Sequence, residues 1–251
     1  MISQTHSRCA CILMTFLAGL LIQSRQSAAA IGEKSAADKT TQTKAKATPK
    51  RNFADYYNQR CERMTADIAA LPPSTTATIV MLGDSITEGF RARELSGLPV
   101  INMGISGDQI DMATTTGGVL RRAQIVKTAH PAHIFLLIGI NDFGSSKPIV
   151  KAEAQYAALV KKLIADNPRA KLHLQSILPT RGRYAFHKPT IISMNDNIKR
   201  IAAENGADYI DLFAQVADEQ GLLREDFTRD GLHLVPAGYE VWTRTVEERI
   251  K

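Results

Sequence analysis

A serine, an aspartate and a histidine stand in segments of the chain that could bring them together. Ser85 lies in the segment Gly-Asp-Ser-Ile-Thr, and Asp230 and His233 lie in Asp-Gly-Leu-His near the C-terminus. A serine hydroxyl becomes a nucleophile when an imidazole takes its proton, and a carboxylate on the other ring nitrogen fixes the tautomer of that imidazole. The residue types therefore predict nucleophilic chemistry on an acyl group, with Ser85 as nucleophile, His233 as base and Asp230 as orienting acid.

Both segments also have an ordinary structural interpretation. Asp84 and Ser85 are favoured N-cap residues, so Gly-Asp-Ser is also typical of a simple helix start. An isolated Asp-x-x-His pattern is common in surface turns. Neither segment is specific alone, and the case depends on what lies near them.

Two more segments offer hydrogen-bond donors for a developing oxyanion. Gly107 has no side chain, so its N–H can approach a ligand closely, and a helix expected to begin near Asp108 would favour negative charge there. The side-chain amide of Asn141 can donate in the same way. With the N–H of Ser85, these groups predict a three-donor oxyanion hole. The alternatives are a loop glycine required for its φ angle and helix capping by Asn141 or Asp142.

The elements that must position these residues alternate between strands and helices. Short apolar runs predict five strands at 78–82, 99–103, 134–138, 172–178 and 207–212, and helical spacing predicts helices near 53–68, 156–164, 194–202 and 237–250. This alternation indicates a parallel sheet covered on both faces. The first three chemical segments follow the first three strands, and the fourth precedes the last helix. Active sites of open α/β sheets lie at the carboxyl ends of the strands, so the four segments should meet.

In order and placement, these segments resemble the SGNH hydrolase superfamily, also called GDSL-like lipases and acylhydrolases. The resemblance covers roughly residues 78–250 and implies a flavodoxin-like, three-layer α/β/α fold with a five-stranded parallel sheet of order 2-1-3-4-5. It also implies that catalysis needs no metal and no cofactor. Ile86 stands where the name-giving leucine is expected, a departure without chemical consequence.

The resemblance assigns the same roles residue by residue. It implies Ser85 as nucleophile, Asp230 and His233 as its partners, and the Ser85 amide, Gly107 and Asn141 as the oxyanion hole. A looser similarity to the platelet-activating-factor acetylhydrolase catalytic subunits favours a compact domain that cuts small acyl groups.

The N-terminus is typical of a secretory signal peptide. Arg8 precedes an apolar run from 9 to 22, and the small residues 28–30 offer a cleavage site after Ala30. The run is shorter than the about 20 residues that span a bilayer. We therefore expect residues 1–30 to be removed and the protein to be secreted or periplasmic, with no stable membrane anchor; an uncleaved anchor or a buried helix is the alternative.

The net positive charge of the chain comes from residues 1–52, which precede the predicted folded domain. Residues 31–52 have the composition of a disordered basic linker. Residues 1–52 hold eight of the 31 basic and two of the 25 acidic residues, so the hydrolase domain expected at 53–251 carries 23 of each. Net charge thus gives no case for a nucleic-acid partner, although a local basic patch stays open.

Other candidate residues favour structural roles. Cleavage would leave Cys61 as the only cysteine, so no intramolecular disulfide could form, and Cys61 is expected to pack. His130 and His133 have zinc-like spacing but should fall on a loop and a strand start, with no third ligand nearby. His173 is expected to be structural within a strand.

These observations predict a secreted serine esterase that hydrolyses short-chain, above all acetyl, esters. Arg181, Arg183 and His187 suit a hydrated alcohol portion, such as an acetylated glycan, better than a lipid. The alternatives are an O-acyltransferase with the same triad, a lipase or phospholipid acylhydrolase, and a non-catalytic binder. A binder would usually have lost a triad member, and all three residues are present here.

Overall fold

The computed structural model describes residues 52–113 and 116–251. The predicted signal peptide and nearly all of the predicted linker lie outside this part of the chain. Helix α1 (Phe53–Ala69) begins where the composition changes, with Asn52 as N-cap accepting a hydrogen bond from the Ala54 N–H. No helix among the described residues is long and apolar enough to cross a membrane.

A six-stranded sheet forms the centre of the domain. Its strands are β1 (Thr78–Gly83), β2 (Glu94–Leu95), β3 (Leu98–Gly104), β4 (Pro131–Leu137), β5 (Lys171–Gln175) and β6 (Asp208–Ile210). The sheet order is β2-β3-β1-β4-β5-β6. Strands β3, β1, β4, β5 and β6 are all parallel, which confirms the predicted order 2-1-3-4-5.

Helices cover the sheet and give the three-layer α/β/α architecture. After α1 they are α2 (Ser85–Glu88), α3 (Val119–Val126), α4 (Ile140–Gly144), α5 (Ile149–Asp166), α6 (Lys188–Asn205), α7 (Leu212–Val216) and α8 (Pro236–Ile250). Every residue of β1 is buried, as expected for a central parallel strand. Trp242 of α8 is fully buried and donates a 2.6 Å hydrogen bond to Gln175 of β5, so the last helix is held against the sheet.

The sixth strand was not predicted. Strand β2 pairs antiparallel with β3 through only two residue pairs. A two-residue turn at Ser96 and Gly97 joins them, which is a recognised hairpin signal. The strand is too short to show an alternating pattern, so the turn was its only sequence signal.

Two strands end earlier than predicted because side chains take over their backbone hydrogen bonds. The Asn195 side chain accepts from Ile177 N–H and donates to Ile177 O, so β5 stops at Gln175 rather than at 178. Asp211 caps α7 by accepting from Ala214 N–H, which ends β6 at Ile210 rather than at 212.

The helix predicted to begin near Asp108 begins at Val119 instead, so that prediction was wrong. The Asp108 carboxylate folds the intervening loop, accepting from the N–H groups of Gln109 and Gly118. The same carboxylate faces the Arg122 guanidinium. A buried ion pair, rather than a helix start, therefore satisfies this aspartate.

Candidate active site

Ser85, His233 and Asp230 lie in one hydrogen-bonded row at the carboxyl edge of the sheet. Ser85 Oγ is 2.9 Å from His233 Nε2, and His233 Nδ1 is 2.6 Å from Asp230 Oδ2. Both partners are open to substrate, since the side chains of His233 and Asp230 are 43% and 42% exposed. Each ring nitrogen thus has its own neighbour, the serine hydroxyl on one side and the carboxylate on the other.

A tight turn holds Asp230 and His233 in register. Asp230 Oδ1 accepts hydrogen bonds from the N–H groups of Leu232 (2.9 Å) and His233 (2.8 Å). Gly231 has φ +84°, and a Cβ there would overlap with Arg181 O. The turn therefore needs glycine, and the Arg181 N–H fastens it by donating to Gly231 O at 2.8 Å.

These contacts also fix the charge on Asp230. Partial burial acts to raise the pKa of this carboxyl, but hydrogen bonds from the His233 ring and from the N–H groups of His233 and Leu232 hold the pKa well below its usual value. The carboxylate is therefore ionised at neutral pH and available to the imidazole.

Ser85 directly follows a turn that β1 makes at its carboxyl end. Asp84 caps α2 by accepting from Ile86 N–H at 3.0 Å, so the capping interpretation holds alongside the nucleophile position. A Cβ at Gly83 would overlap with Leu137 O of β4 and with the Thr87 side chain. Glycine is required because β1, β4 and α2 approach each other closely.

Gly107 and Asn141 follow β3 and β4 at the same edge. Gly107 has φ +83°, which supports the view that its backbone angle requires glycine. Asn141 Nδ2 donates to Asp108 O at 2.9 Å, which ties its amide to the Gly107 loop. An amide NH₂ carries two N–H donors, so this bond orients the group and occupies one of them. Capping by Asn141 or Asp142 is not observed, because Gly139 is the N-cap of α4.

A buried arginine that sequence analysis missed joins the strand ends beneath the site. Arg122 donates to Gly83 O and Met103 O, both at 2.7 Å, and to the Asp108 carboxylate at 3.0 Å. It is only 2% exposed. Arg122 therefore links β1, β3 and the Gly107 loop. Its place on the apolar stripe of α3, three residues after Val119, was the available signal.

Hydrogen bonds to the Glu88 carboxylate hold the loop that carries Gly107. Its carboxylate accepts from Ser106 N–H (2.7 Å) and Ser106 Oγ (2.6 Å), and from the Tyr56 hydroxyl of α1. Arg60 of α1 donates to Gly104 O at 2.7 Å. Helix α1 thereby braces the loop that carries Gly107.

The buried carboxyl of Asp84 is electrostatically unusual. Complete burial, with the nearby carboxylates of Asp108 and Asp142, raises its pKa to about 7, although the Ile86 N–H and Arg122 oppose the shift. Asp84 Oδ2 has no hydrogen-bond partner among the described residues. Arg122 pairs with Asp108 and Lys147 pairs with Asp142, so within the described part of the chain Asp84 has no cation of its own and its neutral form is favoured.

A groove of about 830 Å³ opens beside Ser85 and His233. Its remaining lining comes from the loop after α2, from the segment just before α8 and from α8 itself, and it consists of Gly89, Arg91, Ala92, Leu234, Pro236, Tyr239, Glu240, Thr243 and Arg244. The Tyr239 hydroxyl donates to Ile86 O at 2.8 Å, which anchors α8 to α2, the helix that begins at Ser85. The site thus has room for a substituent on one side of the serine.

Other predicted candidates lie away from this groove. His133 Nδ1 is 3.0 Å from His173 Nε2, and His173 Nδ1 is 2.9 Å from Asp208, so both imidazoles belong to a buried chain near the amino ends of their strands. Among the residues that the structure describes, no group of three or more His, Cys, Asp or Glu could hold a metal ion. Arg181 is bound to Asp218 and Glu225, and therefore supports a loop.

The sequence of residues 81–241 matches the model of the GDSL-like lipase/acylhydrolase family. The chain belongs to this family. It is therefore a carboxylic ester hydrolase, and the family resemblance of the sequence is confirmed.

Solved structures agree with this assignment. One is a protein from Streptococcus pneumonia whose description names platelet activating factor. It is 25% identical to this chain, with a TM-score of 0.63, and the match covers 78% of this chain and 95% of that one. A GDSL-like lipase from Bacteroides thetaiotaomicron is 24% identical with a TM-score of 0.63, over 79% of this chain and 98% of that one, and shows the same fold.

One curated protein also matches, over part of its length. It is an N-acylneuraminate cytidylyltransferase from Escherichia coli O18:K1:H7, 25% identical over 184 residues. The match covers 70% of this chain but only 41% of the relative. The GDSL-family chain therefore corresponds to less than half of that protein.

Proposed function

We propose that the protein is an exported serine esterase that removes acetyl groups from carbohydrate hydroxyls, with Ser85, His233 and Asp230 as its triad. The observation that carries the proposal is the continuous row from Ser85 Oγ through the His233 ring to the Asp230 carboxylate. A serine beside a general base, which is in turn oriented by a carboxylate, is the arrangement that activates a hydroxyl for acyl transfer.

The reaction has two halves, acylation of Ser85 and hydrolysis of the acyl-enzyme, and His233 transfers the proton in each. Ser85 Oγ attacks the ester carbonyl while its proton passes to His233 Nε2, and the oxyanion is stabilised by the N–H groups of Ser85 and Gly107 and by the Asn141 amide. The bond to the alcohol oxygen then breaks, and His233 returns the proton to that oxygen. Water repeats the sequence on the acyl-enzyme, which releases the carboxylic acid and regenerates Ser85.

The position of His233 determines on which side of Ser85 the alcohol portion of the substrate lies. Because His233 must protonate the leaving oxygen, the alcohol portion lies against this residue, and His233 lines the large groove. On the other side of Ser85, Asn141 is bonded to Asp108 O and Ile110 N–H to the Asp142 carboxylate. These bonds draw the Gly107 loop and α4 together, which favours a small acyl group and a larger alcohol.

A carbohydrate alcohol is supported by two further points. The groove lining includes the polar residues Arg91, Glu240, Thr243 and Arg244. The curated relative is named for N-acylneuraminate, an acidic sugar, although the match covers only part of that protein. Both observations support a sugar as the alcohol portion, although Ala92, Leu234, Pro236 and Tyr239 also give the groove an apolar side.

A chain-length series of p-nitrophenyl esters tests the acyl side. We expect kcat/KM to be highest for the acetyl ester and to fall steeply beyond about four carbons, because a longer chain gains about 0.8 kcal/mol per buried CH₂ only where a deep apolar pocket exists. A higher kcat/KM for the eight-carbon than for the two-carbon ester would favour a lipase and contradict the proposal. Acetate release with and without an added sugar acceptor separates hydrolysis from acyl transfer.

Replacing Asn141 tests the oxyanion hole. Asn141→Ala should lower kcat about 10²- to 10³-fold with little change in KM, because the donor acts mainly when charge develops on the oxygen. Steady-state kinetics on p-nitrophenyl acetate measures both constants. Asn197→Ala, which removes a similarly half-buried amide that donates to Glu153 outside the groove, is the matched control. A rise in KM at unchanged kcat for Asn141→Ala would instead make Asn141 a substrate-binding residue.

A further inference from the structure

A row of exposed arginines borders the mouth of the active site. Arg91 and Arg244 line the groove that holds Ser85 and His233. Arg91 also lines a second groove of about 240 Å³, together with Arg63 and Arg93. Because the two grooves share Arg91 and Ala92, they adjoin, and the four arginines form one surface that we call the arginine track.

Three separate elements contribute to the arginine track. Arg63 lies on α1, Arg91 and Arg93 lie on the loop between α2 and β2, and Arg244 lies on α8. All four side chains are exposed, and none forms an ion pair with another residue in the described part of the chain. By contrast, Arg60, which also lines the second groove, lies 3.7 Å from Glu88 and is bonded to Gly104 O.

The charge of the track differs from that of the domain around it. Residues 53–251 hold 23 basic and 23 acidic residues, so the folded part is neutral overall. Within the two grooves, apart from the Arg60–Glu88 pair, the four arginines face only two carboxylates, those of Asp67 and Glu240. The positive charge is therefore local, and it leads to the nucleophile.

This arrangement fits a substrate that is both extended and anionic. Guanidinium groups recognise carboxylates through paired N–H donors. Arg63 and Arg93 lie outside the catalytic groove, so only a substrate that extends beyond that groove can contact them. A small ester would reach Arg91 and Arg244 at most. The partial neutralisation by Asp67 and Glu240 favours single negative charges at intervals over a dense polyanion.

We infer that the alcohol portion of the substrate is an acidic polysaccharide, whose carboxylates lie along Arg63, Arg93, Arg91 and Arg244 while one acetylated hydroxyl reaches Ser85. This inference rests on the proposed esterase function and names the substrate class of that site. The four arginines are specificity residues and take no part in the bond-breaking steps.

The test compares two forms of one polymer. Acetate release is measured from O-acetylated polygalacturonic acid and from the same polymer with its carboxylates reduced to alcohols. We expect the wild-type protein to prefer the charged form, and expect KM for that form to rise between 0.05 M and 0.5 M salt, because salt screens exposed charges over about 10 Å at 0.1 M and less above it.

For each arginine variant, we compare kcat/KM on the charged polymer with kcat/KM on the neutral polymer and take their ratio. In Arg91→Gln/Arg244→Gln this ratio should fall roughly 2- to 30-fold, since each of the two exposed ion pairs that are lost contributes about 0.2–1 kcal/mol. Adding Arg63→Gln and Arg93→Gln to that variant should lower the ratio of kcat/KM values further. Arg169→Gln, an exposed arginine beside the start of β5 and away from both grooves, should leave the ratio unchanged.

The outcomes separate the two proposals. Equal rates on both polymers, or the same loss in Arg169→Gln as in Arg91→Gln/Arg244→Gln, would overturn the polysaccharide inference while activity on p-nitrophenyl acetate upholds the esterase. Arginine-dependent binding to phosphatidylglycerol vesicles without a preference for the charged polymer would also overturn it, in favour of a lipid surface. Absence of any Ser85-dependent ester hydrolysis would instead overturn the proposed function.

Discussion

Ser85→Ala is expected to lower kcat on p-nitrophenyl acetate by a factor on the order of 10⁶, which leaves only a weak residual activity. The change removes one hydroxyl, whose oxygen lies 2.9 Å from His233 Nε2. Without it, no acyl-enzyme can form, and the oxyanion donors and the base act only on water. A triad acts as one unit, so replacing His233 in addition should cost little more.

The same variant should keep its fold. Ser85 is half-buried, and its side chain contacts the site rather than the core, so we expect the free energy of unfolding to change by about 0.5 kcal/mol or less. A serine-reactive phosphonate should label the wild-type protein at Ser85 and leave Ser85→Ala unlabelled. Ser193→Ala, an exposed serine of α6, is the matched control and should retain labelling and turnover. Labelling of a different serine, or wild-type turnover in Ser85→Ala, would refute the assignment.

The parts of the site that sequence could predict are those encoded locally. The Asp230 turn is shaped by Gly231 and by N–H groups within three residues, and only its contact with Arg181 comes from a distant part of the chain. The nucleophile turn and the strand order likewise follow from short patterns and from the handedness of parallel connections. The segments that carry Ser85, Gly107 and Asn141 meet simply because the carboxyl ends of β1, β3 and β4 share one edge.

The parts that sequence could not predict depend on contacts between distant residues. Arg122 is separated from Gly83 by 39 residues, and nothing local to α3 indicates which carbonyl groups it binds. Tyr56 meets Glu88 across 32 residues, and this pair is one of the contacts that hold α1 against the domain. The failure at Asp108 has the same origin, because its helix-capping preference competes with a buried arginine that only the folded chain brings near.

This division has a physical consequence for the active site. The residue types of the site are specified locally, but the strand ends that carry them are joined by a buried network in which Arg122 pairs with Asp108 and Lys147 pairs with Asp142, with Asp84 nearby. In that network Asp84 has a pKa raised to about 7 by burial. A pKa near 7 leaves Asp84 partly protonated at neutral pH, because desolvation outweighs the opposing effects of the Ile86 N–H and Arg122.

Asp230→Asn is expected to lower kcat about 10⁴-fold, because the amide that replaces the carboxylate no longer holds the His233 tautomer in which Nδ1 carries the proton. In the folded protein Asp230 Oδ2 lies 2.6 Å from Nδ1, and Oδ1 accepts from the N–H groups of Leu232 and His233. If the asparagine oxygen keeps the two backbone donors, its NH₂ group faces Nδ1. Nδ1 must then accept, so the proton moves to Nε2, where it blocks removal of the Ser85 proton.

The size of the Asp230→Asn effect distinguishes orientation from simple loss of fold. The carboxylate is 42% exposed, so its removal should lower the free energy of unfolding by no more than about 1 kcal/mol. Asp226→Asn, which removes an exposed carboxylate paired with Arg224 on the preceding loop, is the matched control and should leave kcat unchanged. Because hydrogen bonds hold the pKa of Asp230 below its usual value, the wild-type carboxylate stays ionised above about pH 5, and the variant's deficit should persist at every pH from there upward. A deficit below tenfold, or one that Asp226→Asn shares, would exclude Asp230 as the residue that orients His233.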